Sequence, residues 1–523
     1  MFRRTAIAGG AGCSCPSRHA LSPAVLVAVL AGISPARAQP HEGAPPQGAQ
    51  ARPDALPSHT VVTQATELTN VELGDRRERG GTAWRSIAWG ELAQTQLTPG
   101  AYAVRFQVAG GDRIALEIPV CAGRGRIAVD GVTIASAPGP VVTPLPPRPE
   151  KAHEVEIEIA VGGYERRIAC SAPPRFGATS DGKDGLGVIA FRSPAAAAGG
   201  GHAVVFLPPG HDARKPTPLL VGLHPWNGSI WTYAAYAELL REAAARDVVL
   251  LFPSGLGNSL YTAPAEDEVF RAIDALGQSV AIDPQRVSIW GASMGGAGAT
   301  TIGLHRPDRF ATITSFFGDS RYDLGTYVKA ILPTEAAAHQ VNALDVIENA
   351  RHVPIWLIHG EDDKVSPVAQ STMLAQALAQ RGFKVRFDRV PNAGHSGALV
   401  ARFAAEVVAR ASDARAPASP SRVSFRSVRP TPSAEAYGVH VHRTGTFDAV
   451  VDIERRSDAV HLLEASGVRA IELDRGALGA PMDAEPSVVI DDPRAPKVDV
   501  RWLAPVAAST RAPSAPPGPA SAR

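Results

Sequence analysis

Three side chains in this 523-residue chain are of the types and in the order that a nucleophilic relay requires: Ser293, an acid at Asp362 or Asp363, and His395. The serine is the centre of Gly291-Ala292-Ser293-Met294-Gly295, a G-x-S-x-G preceded by the β-forming run RVSIW and followed by residues that open a helix. In that context the pentapeptide predicts a sharp strand-to-helix turn. Its glycines let neighbouring backbone approach, and the turn lifts the serine hydroxyl clear of the sheet. A serine hydroxyl attacks poorly unless a base takes its proton, and the base needs an acid to orient it. The turn fixes the chain order as serine, acid, histidine, each following a later strand. PIWLIHGEDDKVSP ends one strand at Asp362 and Asp363, and VRFDRVPNAGHSG ends the next at His395. A glycine-rich turn that only packs is the bland alternative for the pentapeptide. An acid and a histidine at the required strand ends tip the balance to a catalytic triad.

The elements that must position these groups are legible in the hydrophobic pattern. HAVVFLP, PLLVGLH, VVLLFP, RVSIW, ATITSFF, PIWLIHG and KVRFDRV are apolar runs separated by helical stretches such as YAAYAELLREAAARD, EDEVFRAIDALGQSV, QSTMLAQALAQRG and GALVARFAAEVVARA. Near-continuous apolar strands alternating with amphipathic helices predict a doubly wound, mostly parallel α/β sheet over residues 186–412. Ligands of such sheets bind at the carboxyl ends of the strands. Residues 58–172 read instead as short alternating strands, a β-sandwich or jelly roll. Residues 425–505 read as a smaller β module. Pro-rich linkers are expected at 39–57 and 413–424, and a disordered tail at 506–523.

The region 186–412 resembles serine hydrolases of the α/β-hydrolase fold. It is most similar to the secreted branch with prolyl-oligopeptidase-type catalytic domains, polyhydroxyalkanoate depolymerases and feruloyl or acetyl-xylan esterases. IDPQRVSIWGASMGGAGA resembles that branch's elbow, IHGEDDKVSP its H-G-x-x-D-x-V-x-P segment, and NAGHS its histidine loop. The resemblance implies Asp363 rather than Asp362 as the acid. It also implies an oxyanion hole built from the backbone N–H of Met294 and one from the loop after PLLVGLH. That loop reads His224-Pro225-Trp226-Asn227-Gly228. Pro225 has no N–H, so Trp226 is the expected donor, and His224 is expected to shape the loop. Trp226, Trp231 and the segment from Gly318 to Val353 are expected to wall the substrate pockets. The C-terminal module is similar to a β appendage that follows such domains in some bacterial hydrolases.

Composition narrows the setting. A formal net charge of +1 and the lack of a basic stripe argue against a nucleic-acid partner. Arg3, Arg4 and Arg18, the apolar run Leu21–Ile33 and the small residues Ala36 and Ala38 read as a cleaved export signal over residues 1–38, with the mature chain starting near Gln39. No other run is apolar enough for a membrane span, so stable membrane insertion is not expected. Cys13 and Cys15 fall inside the signal, leaving Cys121 and Cys170 free to pair in an oxidising compartment or to stay as buried thiols. Trp84 and Trp89 could stack on sugar rings. His440 and His442 share a strand face, but with no third ligand they do not suggest a metal site. Asp491 and Asp492 read as a strand-ending turn, and Glu266, Asp267 and Glu268 as acids complementing a helix start. No cofactor fingerprint is present.

The expected activity is therefore a secreted or periplasmic serine hydrolase that cleaves carboxylic esters through an acyl-enzyme on Ser293. Its substrate could be polymeric, polysaccharide or polyester. A prolyl-oligopeptidase-type peptidase is the alternative. Its propeller would need blades of roughly 40–50 residues each, of which residues 39–185 hold at most three. A non-catalytic carbohydrate-binding protein is the third reading.

Overall fold

A computed structural model describes residues 200–226, 228–230, 232–322 and 325–445, most of 448–503, and a discontinuous set of strands and turns between Thr69 and Ala196. The expected export signal, the first linker, the C-terminal tail, Cys13, Cys15, Cys121, Cys170, Trp89, Asn227 and Trp231 lie outside the described residues.

The central region is an eight-stranded sheet built from β1 (Gly185–Arg192), β2 (Gly200–Leu207), β3 (Thr217–Leu223), β4 (Val249–Pro253), β5 (Ile282–Ala292), β6 (Thr312–Phe316), β7 (Ile355–Gly360) and β8 (Val385–Val390). Their order across the sheet is β1-β2-β4-β3-β5-β6-β7-β8. The pairings β1/β2 and β2/β4 are antiparallel, and every later pairing is parallel. This is the mostly parallel α/β sheet that the apolar runs predict.

Strand alternation sends neighbouring residues to opposite layers. Leu219, Val221, Val249, Leu251, Ile355 and Leu357 join a core with α2 (Ala263–Gly277), α3 (Met294–His305) and α4 (Ala369–Gln380). Their sequence neighbours Leu220, Leu250, Phe252, Trp356 and Ile358 join the opposite core with α1 (Ala237–Arg246) and α5 (Gly397–Asp413). Burial on both faces is why these strands read as continuous apolar runs rather than alternating ones. Each fully buried Leu, Ile or Phe contributes on the order of 2 kcal/mol. The two cores thus hold the sheet ends, and the loops that leave them, in place.

Ahead of this domain, strands from Thr69 to Val161 form a six-stranded antiparallel sheet, and Arg113–Ile118, Gly139–Pro144 and Arg175–Gly177 form a three-stranded one. The last of these strands lies beyond residue 172, so pairing extends past the boundary drawn from composition. Behind the domain stand two four-stranded sheets around one apolar core that includes Phe425, Val451, Leu462 and Ile471. Arg422–Ser427 is the first of those strands, so the second linker ends before 422. Its serines and arginines, following a Pro-rich run, masked that strand.

The Glu266–Glu268 run lies at the start of α2, with Glu266 in its first turn as expected, but two of its acids are also buried. Glu266 and Glu268 are only 2% and 1% exposed, and they face inward. Glu266 receives His305 Nδ1 at 2.8 Å and Arg429 of the C-terminal module at 3.2 Å. Glu268 accepts from the hydroxyls of Ser193 and Ser254. Besides standing at a helix start, these acids tie separate elements together. Among the described residues no helix is long and apolar enough to cross a membrane.

Candidate active site

The site sits where β3, β5, β6, β7 and β8 end. β5 carries the chain to Ala292, and Ser293 then adopts φ 57° and ψ −121° before α3 begins at Met294. A positive φ is strained for a residue with a Cβ and is held only by firm surroundings. Those surroundings are visible. Ser293 N–H donates to Phe316 O at 2.9 Å, and Ala297 N–H donates to Ser293 O at 3.0 Å. The buried Tyr233 hydroxyl accepts from Ala292 N–H at 3.0 Å and donates to Leu223 O at 2.8 Å, linking β3 to the elbow. Burial pushes its phenol well above the usual tyrosine range, so the proton stays on the hydroxyl. A Cβ at Gly295 would come within 1.8 Å of Leu223 O and 2.8 Å of His224 O, so only glycine lets this turn seat against the end of β3.

The acid and base arrive on the next two strand ends. Asp362 is exposed, whereas the Asp363 side chain is wholly buried. Asp363 Oδ1 accepts from the amides of Val365 at 2.8 Å and Ser366 at 3.0 Å. Asp363 Oδ2 accepts from His395 Nδ1 at 2.7 Å. With Nδ1 facing a carboxylate, that nitrogen holds the proton, and Nε2 is left to accept from Ser293 Oγ at 2.9 Å. The acid and histidine loops are themselves joined, since Asp362 N–H donates to Ala393 O at 2.9 Å and a Cβ at Gly360 would collide with that oxygen. The Phe317 ring packs on His395 with centroids 4.5 Å apart.

The structure therefore brings Ser293, His395 and Asp363 into one hydrogen-bonded chain and leaves Asp362 out of it. Met294 is the first residue of α3, where an N–H has no partner within the helix. The loop carrying Trp226 leaves β3 beside it, with Gly228 N–H closing a turn onto Pro225 O. Trp226 is partly buried against the core. Trp231 falls outside the described residues. His224 lies 2.9 Å from Pro225 O through Nδ1 and 2.8 Å from Ser254 O through Nε2. Burial lowers its pKa while the two carbonyls act in the raising direction, and the ring bridges this loop to Ser254.

Residues 260–413 match the prolyl oligopeptidase family. This is a serine-hydrolase domain, similar to that family over those residues. No curated protein matches the chain in sequence. Among solved structures, similar ones include an S-formylglutathione hydrolase from Agrobacterium tumefaciens, at 19% identity and TM-score 0.38 over 44% of this chain and 94% of that one. A fluorophosphonate-binding serine hydrolase from Staphylococcus aureus is 16% identical, with TM-score 0.40, over 44% of this chain and 100% of that one. An acylaminoacyl peptidase from Pyrococcus horikoshii is 18% identical, with TM-score 0.35, over 43% of this chain and 40% of that one.

Several residues around the serine hydrolase's site have no sequence motif. Tyr233 is one residue of an aromatic-rich TYAAY run, and only the hydroxyl's two backbone partners reveal its role. Asp319 Oδ1 accepts from Ser366 Oγ at 2.7 Å, tying the loop after β6 to the acid loop. Gln370 Oε1 then accepts from the amides of Ser320 and Arg321, both at 3.1 Å. The remaining sequence candidates lie elsewhere. His440 pairs with Glu435 at 3.0 Å and His442 with Glu472 at 3.1 Å. No cluster able to hold a metal ion occurs among the described residues. Arg105 covers the Trp84 ring at 4.0 Å, so that face of the indole is already occupied.

Proposed function

We propose that the protein is an exported carboxylic-ester hydrolase working through an acyl-enzyme. The observation that carries the chemistry is the unbroken chain Ser293 Oγ to His395 Nε2 at 2.9 Å and His395 Nδ1 to Asp363 Oδ2 at 2.7 Å. Ser293 Oγ attacks the ester carbonyl as Nε2 takes its proton, and Asp363 steadies the imidazolium. The tetrahedral oxyanion is held by the N–H groups of Met294 and Trp226. Its collapse breaks the C–O bond, and the alcohol leaves with the proton from Nε2. Water then attacks the acyl group, giving its proton to Nε2, and Ser293 departs by taking that proton back.

Ester cleavage is favoured over the peptidase alternative by the strands ahead of the catalytic sheet. Among the described residues they form a six-stranded and a three-stranded sheet, whereas propeller blades are four-stranded sheets arranged radially. The likeness of Met1–Ala38 to an export signal supports a secreted or periplasmic site of action. A panel of p-nitrophenyl, feruloyl and peptide substrates, run on the full chain, tests the reading. Turnover confined to esters is expected, and peptide turnover exceeding ester turnover would replace it with the peptidase.

A further inference from the structure

The catalytic carboxylate faces a second imidazole. His359, next to the end of β7, is fully buried. Its Nδ1 lies 2.8 Å from Ser371 Oγ on α4, and its Nε2 lies 2.8 Å from Ser366 O and 3.4 Å from Asp363 Oδ2. A carbonyl oxygen only accepts, so Nε2 carries the proton and Nδ1 accepts from the Ser371 hydroxyl. Burial lowers the ring's pKa; the Ser366 carbonyl and the Asp363 charge act in the raising direction, and His395 adds to the lowering. The ring is thus neutral and has one N–H to give. The edge of Phe317, which also packs on His395, closes the remaining side at 6.4 Å between centroids.

We propose that His359 is a positioning residue of the catalytic centre, its single N–H shared between the Ser366 carbonyl and Oδ2 of Asp363. The first arm fixes the four-residue turn in which the Val365 and Ser366 amides grip Oδ1. The second, longer arm draws on the same oxygen that receives His395. Oδ2 is therefore approached by two imidazoles, and its negative charge is divided between them. A residue that merely filled space would need neither the Nε2 proton nor the Ser371 partner that leaves Nδ1 as the acceptor.

The proposal rests on the triad reading, so the test separates the two. Wild type, H359L, H359Q and S371A are titrated with a fluorophosphonate probe to count competent sites, and kcat/KM for a p-nitrophenyl ester is then followed against pH. In H359L the undivided carboxylate charge favours protonated His395, so the acid limb of the profile moves to higher pH. Its kcat falls about tenfold per competent site, the order of effect that outer-shell partners have on the groups they orient. In H359Q the side-chain amide can restore the N–H, and the limb returns toward wild type. S371A keeps the Nε2 proton and leaves the limb in place. Coincident limbs for wild type and H359L, or equal shifts for H359L and H359Q, overturn the proposal. If H359L yields no competent protein, ¹⁵N NMR of wild-type His359 decides, with an Nδ1–H tautomer as the overturning result. Failure of wild type to label at Ser293 or to cleave any ester defeats the triad reading instead.

Discussion

The catalytic face and the contact between the catalytic domain and the C-terminal module use the same two residue types at nearly the same distances. At the face, His395 meets one carboxylate at 2.7 Å and a serine hydroxyl at 2.9 Å. At the contact, His339 meets two carboxylates, Asp345 of its own domain and Asp448 of the module, both at 2.9 Å. Two acceptors require two N–H groups, so His339 works as an imidazolium. Its partial burial opposes that charge, but Asp448 and Asp345 outweigh burial and raise its pKa. The difference teaches what separates a proton carrier from a clamp. A carrier keeps one nitrogen open to a neutral group that can give up a proton, whereas a clamp spends both on fixed charges.

The largest effect expected from breaking the first arrangement is in Ser293→Ala, which should lose about 10⁴-fold or more in kcat on a p-nitrophenyl ester, because triad members act as a unit. Asp363→Asn should come close behind, at roughly 10⁴-fold, by favouring the wrong tautomer of His395. The exposed Asp362→Asn should stay near wild type in the same assay, and equal losses in the two would overturn the assignment of the acid.

The contact should fail in stability rather than in rate. Arg429→Ala leaves the buried Glu266 without its cation from the module, and loss of one partner of such a pair costs on the order of 3 kcal/mol, read by urea unfolding. On the catalytic face, Tyr233→Phe leaves the Ala292 N–H without its acceptor and should cost about 1–3 kcal/mol in the same measurement. The smallest effect is the pH dependence due to His339. Its folded pKa is raised above the ordinary 6.5, so its contribution is complete below that value and fades as pH climbs through the higher folded pKa. Melting temperature should therefore fall across that interval in wild type, and His339→Gln should flatten that part of the curve.

Much of the catalytic face was legible in the sequence because each part follows from a local rule. The elbow needs glycines flanking Ser293, strands buried on both faces need unbroken apolar runs, and the acid and histidine must come at successive strand ends. What stayed hidden depends on distant partners. Nothing in EDEVF marks Glu266 and Glu268 as buried, since their partners Arg429 and Ser193 are far away in the chain. Tyr233, Asp319 and His359 likewise gain their roles from contacts across the sheet ends. The strand Arg422–Ser427 was missed because its serine and arginine content mimics a linker, although pairing with Ala449–Arg455 along its whole length defines it.

The tight seat of Gly295 against Leu223 O also limits how this enzyme can be re-engineered. A thiol could replace the hydroxyl at position 293 without disturbing that seat, but even a methyl group two residues later would prise the elbow off its neighbouring strand. Laboratory evolution of new reactivity in this scaffold is therefore free to vary the attacking atom, while the hinge beneath it tolerates no added bulk.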